Sequence, residues 1–545
     1  MVIKCKRSCG FWMVMIIIII SHAYLIILAD DHLDGGGGCI EEEERKSLLE
    51  FKAAWLQAAA ARGLNSFLTS WVDHHHDCCD GSWEGVTCDS VTGHVLQLSL
   101  GAILSRGSDL NSTGRSMEAI GTGIQKLSTL KQLEYLLIYN NQLHASVLSS
   151  LSTLKSLKII DLSGNHLFND GFSSQECEPL LKLKKLEELY LSDNINDIPS
   201  SYEHKKINVS CLGSLSSLRK LSLSENYFMD DHNFFNEVLE SLQQIEELDL
   251  AYCNLTSEGG GVMRTFSKKM VKLRNLDLSY NQLQKDVLAT LGALPYLQNL
   301  QLSYNPSIEG PLTNQDLIGY HHLEILNLDG CRLNGSIPQS LCEMNKLQEL
   351  DLSYNLLQDI PICLNKLSFL KYFNVQNNQL SGNISSSLFR DLNSLKYINL
   401  RDNSLQGSFS LRTFANFSKL EEILINSYSN KLVIESDLVD WVPKFQLKNL
   451  KLSNCNLKEF PKFLHYQKDL RFLDLSHNKV EGSFSNWLLV NNTKLDVLSM
   501  RDNNLDDNIF YNLFNWSLGR RNLESIDISY SNMSGQIPRT ITVIV

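Results

Sequence analysis

Apolar residues recur along most of the chain in one spacing, L-x-x-L-x-L-x-x-N-x-L, which returns when the sequence is laid over itself. One unit reads Leu157, Ile160, Leu162, Asn165, Leu167; another reads Leu273, Leu276, Leu278, Asn281, Leu283; a third reads Leu347, Leu350, Leu352, Asn355, Leu357. The polar rung falls at Asn141, Asn165, Asn194, Asn226, Cys253, Asn281, Asn305, Cys331, Asn355, Asn378, Asn403, Cys455, Asn478, Asn503 and Ser531. Successive rungs mostly lie 23 to 32 residues apart, and the gap from Asn403 to Cys455 holds a degenerate unit on Leu420, Ile423 and Ile425. That makes about sixteen repeats. A stack in which each unit packs only on its neighbours escapes the limit of about 250–300 residues at which single cores stop growing.

The pattern predicts a short parallel strand in each repeat. Two leucines around one residue, as in Leu276-Asp277-Leu278, point inward, and the residue between them faces solvent. The rung asparagine turns the chain out of the strand, and its amide, which donates and accepts, satisfies backbone groups that the turn strands inside. Cys253, Cys331 and Cys455 fit that slot as reduced core residues, since a small thiol is easily buried there.

A second motif follows some rungs. Leu333-Asn334-Gly335-Ser336-Ile337-Pro338 and Met533-Ser534-Gly535-Gln536-Ile537-Pro538 spell L-x-G-x-I-P or a near variant, with looser copies at Leu380-Ser381-Gly382-Asn383-Ile384 and Val480-Glu481-Gly482-Ser483-Phe484. Glycine permits the tight backbone, and proline opens the next segment without a donor. A stack also needs an end cap over its first apolar face. Residues 39–100 offer one: Glu41 to Glu44 lead into the helical pattern Leu48-Leu49-Glu50-Phe51-Lys52, then Ser70-Trp71 and Cys78-Cys79-Asp80-Gly81-Ser82-Trp83-Glu84-Gly85-Val86-Thr87-Cys88.

With these motifs the chain resembles plant extracellular leucine-rich-repeat proteins from Cys39 onward, and specifically their kinase-free receptor-like proteins. The resemblance implies an α/β leucine-rich-repeat solenoid. It would be a right-handed superhelix with parallel β-strands on the concave face, 3-10 or irregular turns on the convex face, and a cysteine-bonded helical cap at the N-terminus. Four cap cysteines permit three pairings; the resemblance favours Cys39 with Cys78 and Cys79 with Cys88. Cys177 with Cys211, and Cys342 with Cys363, lie about one repeat apart, a spacing that allows a clip between neighbouring loops or leaves the thiols free. The expected division is a signal peptide over 1–29, the cap over 30–100, and repeats over 101–545 with an irregular one near 426–446.

The N-terminus bears on the compartment. Lys4, Lys6 and Arg7 precede an apolar run that includes isoleucines from 16 to 20, the charge-then-apolar order of a secretory signal. The run continues through Tyr24-Leu25-Ile26-Ile27-Leu28, so an uncleaved membrane anchor is the alternative. Nine glycosylation sequons follow, at Asn111, Asn208, Asn254, Asn334, Asn383, Asn416, Asn491, Asn515 and Asn532, and none sits between two strand leucines. The chain finishes at Val545 inside a repeat, with neither a C-terminal cap nor a membrane helix, and the expectation is a truncated product. The expected location is the secretory pathway, ending at the extracellular face of the plasma membrane for a full-length receptor and in the apoplast otherwise. Membrane association would come only through a missing segment or an uncleaved signal.

Composition narrows the chemistry. A formal charge of -12 argues against nucleic acid and favours a basic or neutral partner. No G-x-S-x-G elbow, phosphate-binding loop, H-E-x-x-H or kinase signature occurs, so no catalytic residue, cofactor or metal is expected. The glycines at 35–38 and 259–261 read as a flexible run and a repeat insertion. The histidines at 74–76 beside Asp73 and Asp77 read as a solvated cap loop, because their spacing is wrong for structural zinc. The better candidate is the strand face, which sixteen strands about 4.8 Å apart would extend on the order of 70 Å. Its solvent-facing column holds Asp161, Asp249, Asp277, Asp351, Asp474 and Asp527, with Tyr252, Tyr280, Tyr304 and Tyr354 each just before a rung. Such an acidic and aromatic stripe suits a basic peptide or protein, although both residue types are ordinary fillers of these slots. By resemblance, the expected function is a ligand-sensing ectodomain in defence or development, signalling through a receptor kinase or adaptor kinase coreceptor. The alternatives are a secreted inhibitor of a cell-wall hydrolase and the truncated ectodomain of a receptor kinase.

Overall fold

The computed structural model describes residues 42–60, 68–72, 78–104, 114–169, 171–195, 207, 209–226, 242–256, 269–435, 441–482, 486–505 and 524–531. The signal region, Cys39, the glycines at 35–38 and 259–261, the histidines at 74–76 with Asp73 and Asp77, the sequons at Asn111, Asn208, Asn515 and Asn532, and the motif copy at 533–538 lie outside them. The chain forms two compact units, Met1–Leu218 and Arg219–Val545.

The first unit begins with α1, Glu42–Ala60, whose first turn carries Glu42, Glu43 and Glu44 at the positive end of the helix dipole. Its stripe of Leu48, Phe51, Trp55, Ala58 and Ala59 is buried at helical spacing. A second helix not anticipated from the sequence, α2, Gly114–Lys126, packs on the first. Gly123 allows that approach, because a Cβ there would lie 3.0 Å from the Ala54 methyl. Trp71 stacks on Trp83 at 5.4 Å and donates its indole N–H to the Glu84 carbonyl, and Cys79 is bonded to Cys88. Cys78 is also disulfide-bonded; Cys39, its expected partner, is outside the described residues. The Val86–Cys88 strand runs antiparallel to Val95–Ser99, and Tyr135–Leu137, Ile159–Asp161 and Glu188–Tyr190 follow in parallel. The cap hairpin thus occupies the edge that the first parallel strand would expose. Glu44, 1% exposed, closes the junction by accepting from the Val95 N–H and facing His94 Nδ1 at 3.2 Å. Cys177 is bonded to Cys211.

The second unit is built from parallel strands in strict register. Leu248, Leu276, Leu300, Leu326, Leu350, Phe373, Ile398, Ile423, Leu450, Leu473, Leu498 and Ile526 lie side by side, one per repeat, and all but Ile526 are buried. Short 3-10 turns such as Gln339–Glu343 and Ile362–Lys366 return the chain, and the Cys342–Cys363 disulfide clips these two together. The motif around Gly335 does more than turn. It forms a second, smaller parallel sheet, in which Leu333–Ser336 pairs with Gly310–Pro311 and Leu356–Asp359, with Gly335 at φ 72°. Another such sheet joins Ser381–Asn383, Ser404–Phe409 and Lys431–Ile434. The described strands of the irregular region therefore stay paired with those of the neighbouring repeats. Ser427 bridges to Asn403 in the rung's place, and its hydroxyl donates to the Leu405 carbonyl.

The rungs hold the interior together. Asn281 donates to the carbonyls of Leu250, Leu278 and Ser279 and accepts from the N–H groups of Cys253 and Leu255. Cys253, Cys331 and Cys455 are free and buried, with Cys331 Sγ 3.2 Å from the Leu302 carbonyl. Burial pushes the Cys331 thiol up to about 12, which keeps it protonated and unreactive. No helix among the described residues is long and apolar enough to cross a membrane. Of the described sequons, Asn383 and Asn416 are exposed, and Asn254, Asn334 and Asn491 are partly so.

Candidate ligand-binding face

Each rung residue follows one residue in the left-handed backbone region, which re-aims the chain from strand to core. Tyr252, Tyr280, Tyr304 and Tyr354 occupy this position at φ 56°, 57°, 54° and 50°. The conformation costs a non-glycine residue about 1–2 kcal/mol. A hydrogen bond to the next repeat offsets it: the N–H groups of Tyr252, Tyr280, Tyr304 and Tyr354 donate to the carbonyls of Ser279, Ser303, Asp329 and Gln376. Stacked repeats then place the side chains in a column. Tyr252 and Tyr280 stack at 4.0 Å and 12°, and Tyr280 and Tyr304 at 4.5 Å and 8°. With Gln282, Pro306 and Gly330 these rings line an open depression of about 290 Å³. Burial pushes the Tyr304 hydroxyl up to about 12, so the rings present neutral donors. Tyr304 is 38% exposed and Tyr354 48%.

The aspartate column is less open than the sequence suggested. Asp161 and Asp474 are buried, at 3% and 5% exposure, and Asp249, Asp277, Asp351 and Asp527 are intermediate or partly covered. Each carboxylate bends back to accept from the N–H two residues on, as Asp277 does from Ser279 at 2.8 Å and Asp351 from Ser353 at 2.9 Å. This is the Asx turn that closes each strand. Asp249 also accepts from the Ser222 and Ser224 hydroxyls, and Asp474 pairs with Lys451 at 2.6 Å. Burial, with the Asp249 charge beside it, pushes Asp277 up to about 7.

Other groups on this face were not singled out from the sequence. Tyr372 and Tyr397 open neighbouring strands and stack at 4.3 Å. Asn374 Nδ2 donates to Asp351 at 2.9 Å, and Asn399 and Arg401 both donate to the Gln376 amide oxygen at 2.8 Å. Their signal was present as aromatic and amide residues beside the inward Phe373 and Ile398. Asp329 is the other. Burial and then the Asp351 charge push it up to about 7, and it stands where most repeats carry serine, as at Ser279, Ser303 and Ser353.

Asp277→Asn is expected to stabilise the protein at about pH 8 by on the order of 1–2 kcal/mol and to change little near pH 4. The folded carboxyl sits above its ordinary 3.8, so the unfolded chain ionises first. Stability is full below about pH 4 and falls as pH rises toward about 7. Asparagine keeps the turn, as Asn374 does by accepting from the Gln376 N–H at 3.1 Å. Thermal unfolding at both pH values checks this; equal shifts at each would remove charge as the cause.

Comparison with known proteins agrees with this architecture. Residues 41–89 match the leucine rich repeat N-terminal domain, residues 113–318 the leucine-rich repeat region, and residues 322–344 and 346–367 single leucine rich repeats. Cuscuta receptor 1 of Solanum lycopersicum is 29% identical over 92% of this chain and 49% of its own length. Receptor-like protein 14 of Arabidopsis thaliana is 32% identical over 91% of this chain and 43% of its own. The chain thus spans about half the length of these relatives. The ectodomain of the Arabidopsis thaliana receptor kinase GASSHO1/SCHENGEN3 shares the fold, with a TM-score of 0.50 at 23% identity over 90% of this chain and 65% of that one. Cap, rungs and family matches together make this chain a leucine-rich-repeat protein, similar over most of its length to plant leucine-rich-repeat receptor-like proteins.

Proposed function

We propose that the chain is an exported, glycosylated ligand-binding module without catalytic activity of its own. It holds a peptide or protein on the strand face, acts at the outer side of the plasma membrane, and signals through partner kinases in defence or development. The observation that carries this reading is the stacked platform of Tyr252, Tyr280 and Tyr304, which lines an open depression of about 290 Å³ and leaves Tyr304 38% exposed. Aromatic rings supply contact area at low entropy cost, as binding surfaces require. Similarity to receptor-like proteins supports the same assignment, because those relatives are named as receptors.

The test is to express the full chain in plant cells, recover it from the medium, and titrate it with the peptide and protein fractions that plants and their attackers secrete. The expected result is a product that loses mass on glycan removal and retains one saturable ligand. A product confined to the cytosol and unglycosylated, or the absence of any saturable ligand, overturns the reading. Capture and inhibition of a cell-wall hydrolase would transfer it to an inhibitor.

A further inference from the structure

Five consecutive repeats of the second unit place one residue in the same backbone conformation before the rung: Tyr252, Tyr280, Tyr304, Gly330 and Tyr354. Gly330 shares the left-handed φ, 68°, and its N–H donates to the Ser353 carbonyl as its tyrosine counterparts donate to theirs. The backbone therefore offers five equivalent places for a ring, and four hold one. The first three rings stack. Glycine interrupts the column at the fourth. A Cβ built on Gly330 would lie 3.1 Å from Cδ1 of Tyr304, so the Tyr304 ring leans over bare backbone and no following ring covers its outer face. Strands stand about 4.8 Å apart, so Tyr354, two repeats on, bounds an opening about 10 Å from the Tyr304 position. A flat group entering from the open depression beside Gly330 would meet the outer face of Tyr304.

Two carboxyl groups border this opening. Asp329 immediately precedes Gly330 and accepts from the Ser353 hydroxyl at 3.0 Å. Asp351 lies in the next repeat, and among the described residues no lysine or arginine forms an ion pair with either carboxylate. The whole chain carries a formal charge of -12. A flat cation with directional N–H groups meets both conditions, and the arginine guanidinium is the protein side chain that has them: it stacks on ring faces and forks onto carboxylates. Lysine is not flat, and a neutral ring brings neither a charge nor a fork of N–H groups to the carboxylate.

We propose that the vacant place at Gly330 is a subsite for an arginine side chain of the ligand, held between Tyr304 and Tyr354 with its N–H groups on Asp329. The proposal rests on the reading that the strand face binds a peptide or protein.

It is tested on the full chain with four capped pentapeptides of glycine whose central residue is arginine, citrulline, lysine or phenylalanine, followed by calorimetry or ligand-observed NMR. Citrulline keeps the shape of arginine and removes the charge. The arginine peptide is expected to bind at least about tenfold more tightly than the citrulline peptide. Gly330→Tyr refills the place with a residue that this backbone already accepts at Tyr304 and Tyr354, and abolishes the preference. Asp329→Asn and Tyr304→Ala each weaken arginine binding about tenfold, which keeps the test decisive if Gly330→Tyr melts early. No binding of the arginine peptide, equal binding of arginine and citrulline, tightest binding of phenylalanine, or an unaltered Gly330→Tyr variant overturns the proposal. If that happens while a secreted ligand is still retained, the functional reading stands and the arginine subsite falls. If the arginine pattern holds and no secreted ligand is found, the reverse is true.

Discussion

Asn281→Ala is expected to lower the stability of the second unit by about 3–5 kcal/mol, on the basis of about 1 kcal/mol net for each buried hydrogen bond. The amide donates to the carbonyls of Leu250 at 2.9 Å, Leu278 at 3.0 Å and Ser279 at 3.1 Å, and accepts from Cys253 N–H at 3.1 Å and Leu255 N–H at 2.8 Å. Residue 281 is 1% exposed, so water cannot replace what alanine removes. Two repeats lose partners at once, since Leu250, Cys253 and Leu255 belong to the preceding rung. The chain supplies its own control. Cysteine already occupies this place at 253, 331 and 455, where the thiol reaches the same kind of carbonyl, as from Cys253 to Leu223 at 3.2 Å. Asn281→Cys is therefore expected to lose less than half as much as alanine. Thermal unfolding of the secreted proteins, with yield from the medium as a second readout, measures both. An alanine variant that melts with the parent would mean that the rung is not what holds adjacent repeats together.

Tyr280→Ala combined with Tyr304→Ala is expected to weaken the retained secreted ligand about tenfold to a hundredfold, the loss of one or two binding hot spots. The fold should persist. Both side chains stand outside the leucine core, and their stacking contributes only about 0.5–1.5 kcal/mol per pair. The backbone at 280 and 304 remains tied through N–H bonds to Ser303 and Asp329, which alanine also makes. Truncation removes the faces of a three-ring stack and empties one wall of the depression. Affinity is read by titration of the ligand against parent and variant, with melting temperature as the control. Unaltered affinity would move the binding surface along the strands, where the Tyr372 and Tyr397 stack with Asp351, Asn374 and Arg401 is the next candidate.

The cap shows how far local pattern reaches. The helix at 42–60 and the Trp71 and Trp83 segment follow from a short stretch of chain, and the Cys79–Cys88 bond is the one that the family resemblance implied among three possible pairings. The Gly114–Lys126 helix was not read, because glycines at 114, 121 and 123 dilute its apolar stripe; one of them is there to admit the first helix. The second sheet through Leu333–Ser336 was read as a turn for a similar reason, since a glycine at positive φ marks a bend equally well inside a strand. Near Ser427 the broken consensus concealed a strand paired in register with its neighbours, because serine reaches a carbonyl of the preceding repeat while lacking the amide by which rungs are recognised.

The sequence by itself determined the repeat, its register and its interior. Those depend on residue types at fixed short spacings, and each unit meets only its neighbours, so the period determines which leucine lies beside which. The disulfides at Cys177–Cys211 and Cys342–Cys363, the bend that turns strand aspartates back onto the following N–H groups, and the ring column with its gap at Gly330 were decided by tertiary structure. These depend on ångström distances between residues some 21 to 34 positions apart and on how much solvent reaches them. A tyrosine or an aspartate reads the same in the sequence whether its ring is stacked or bare and whether its charge is solvated or suppressed.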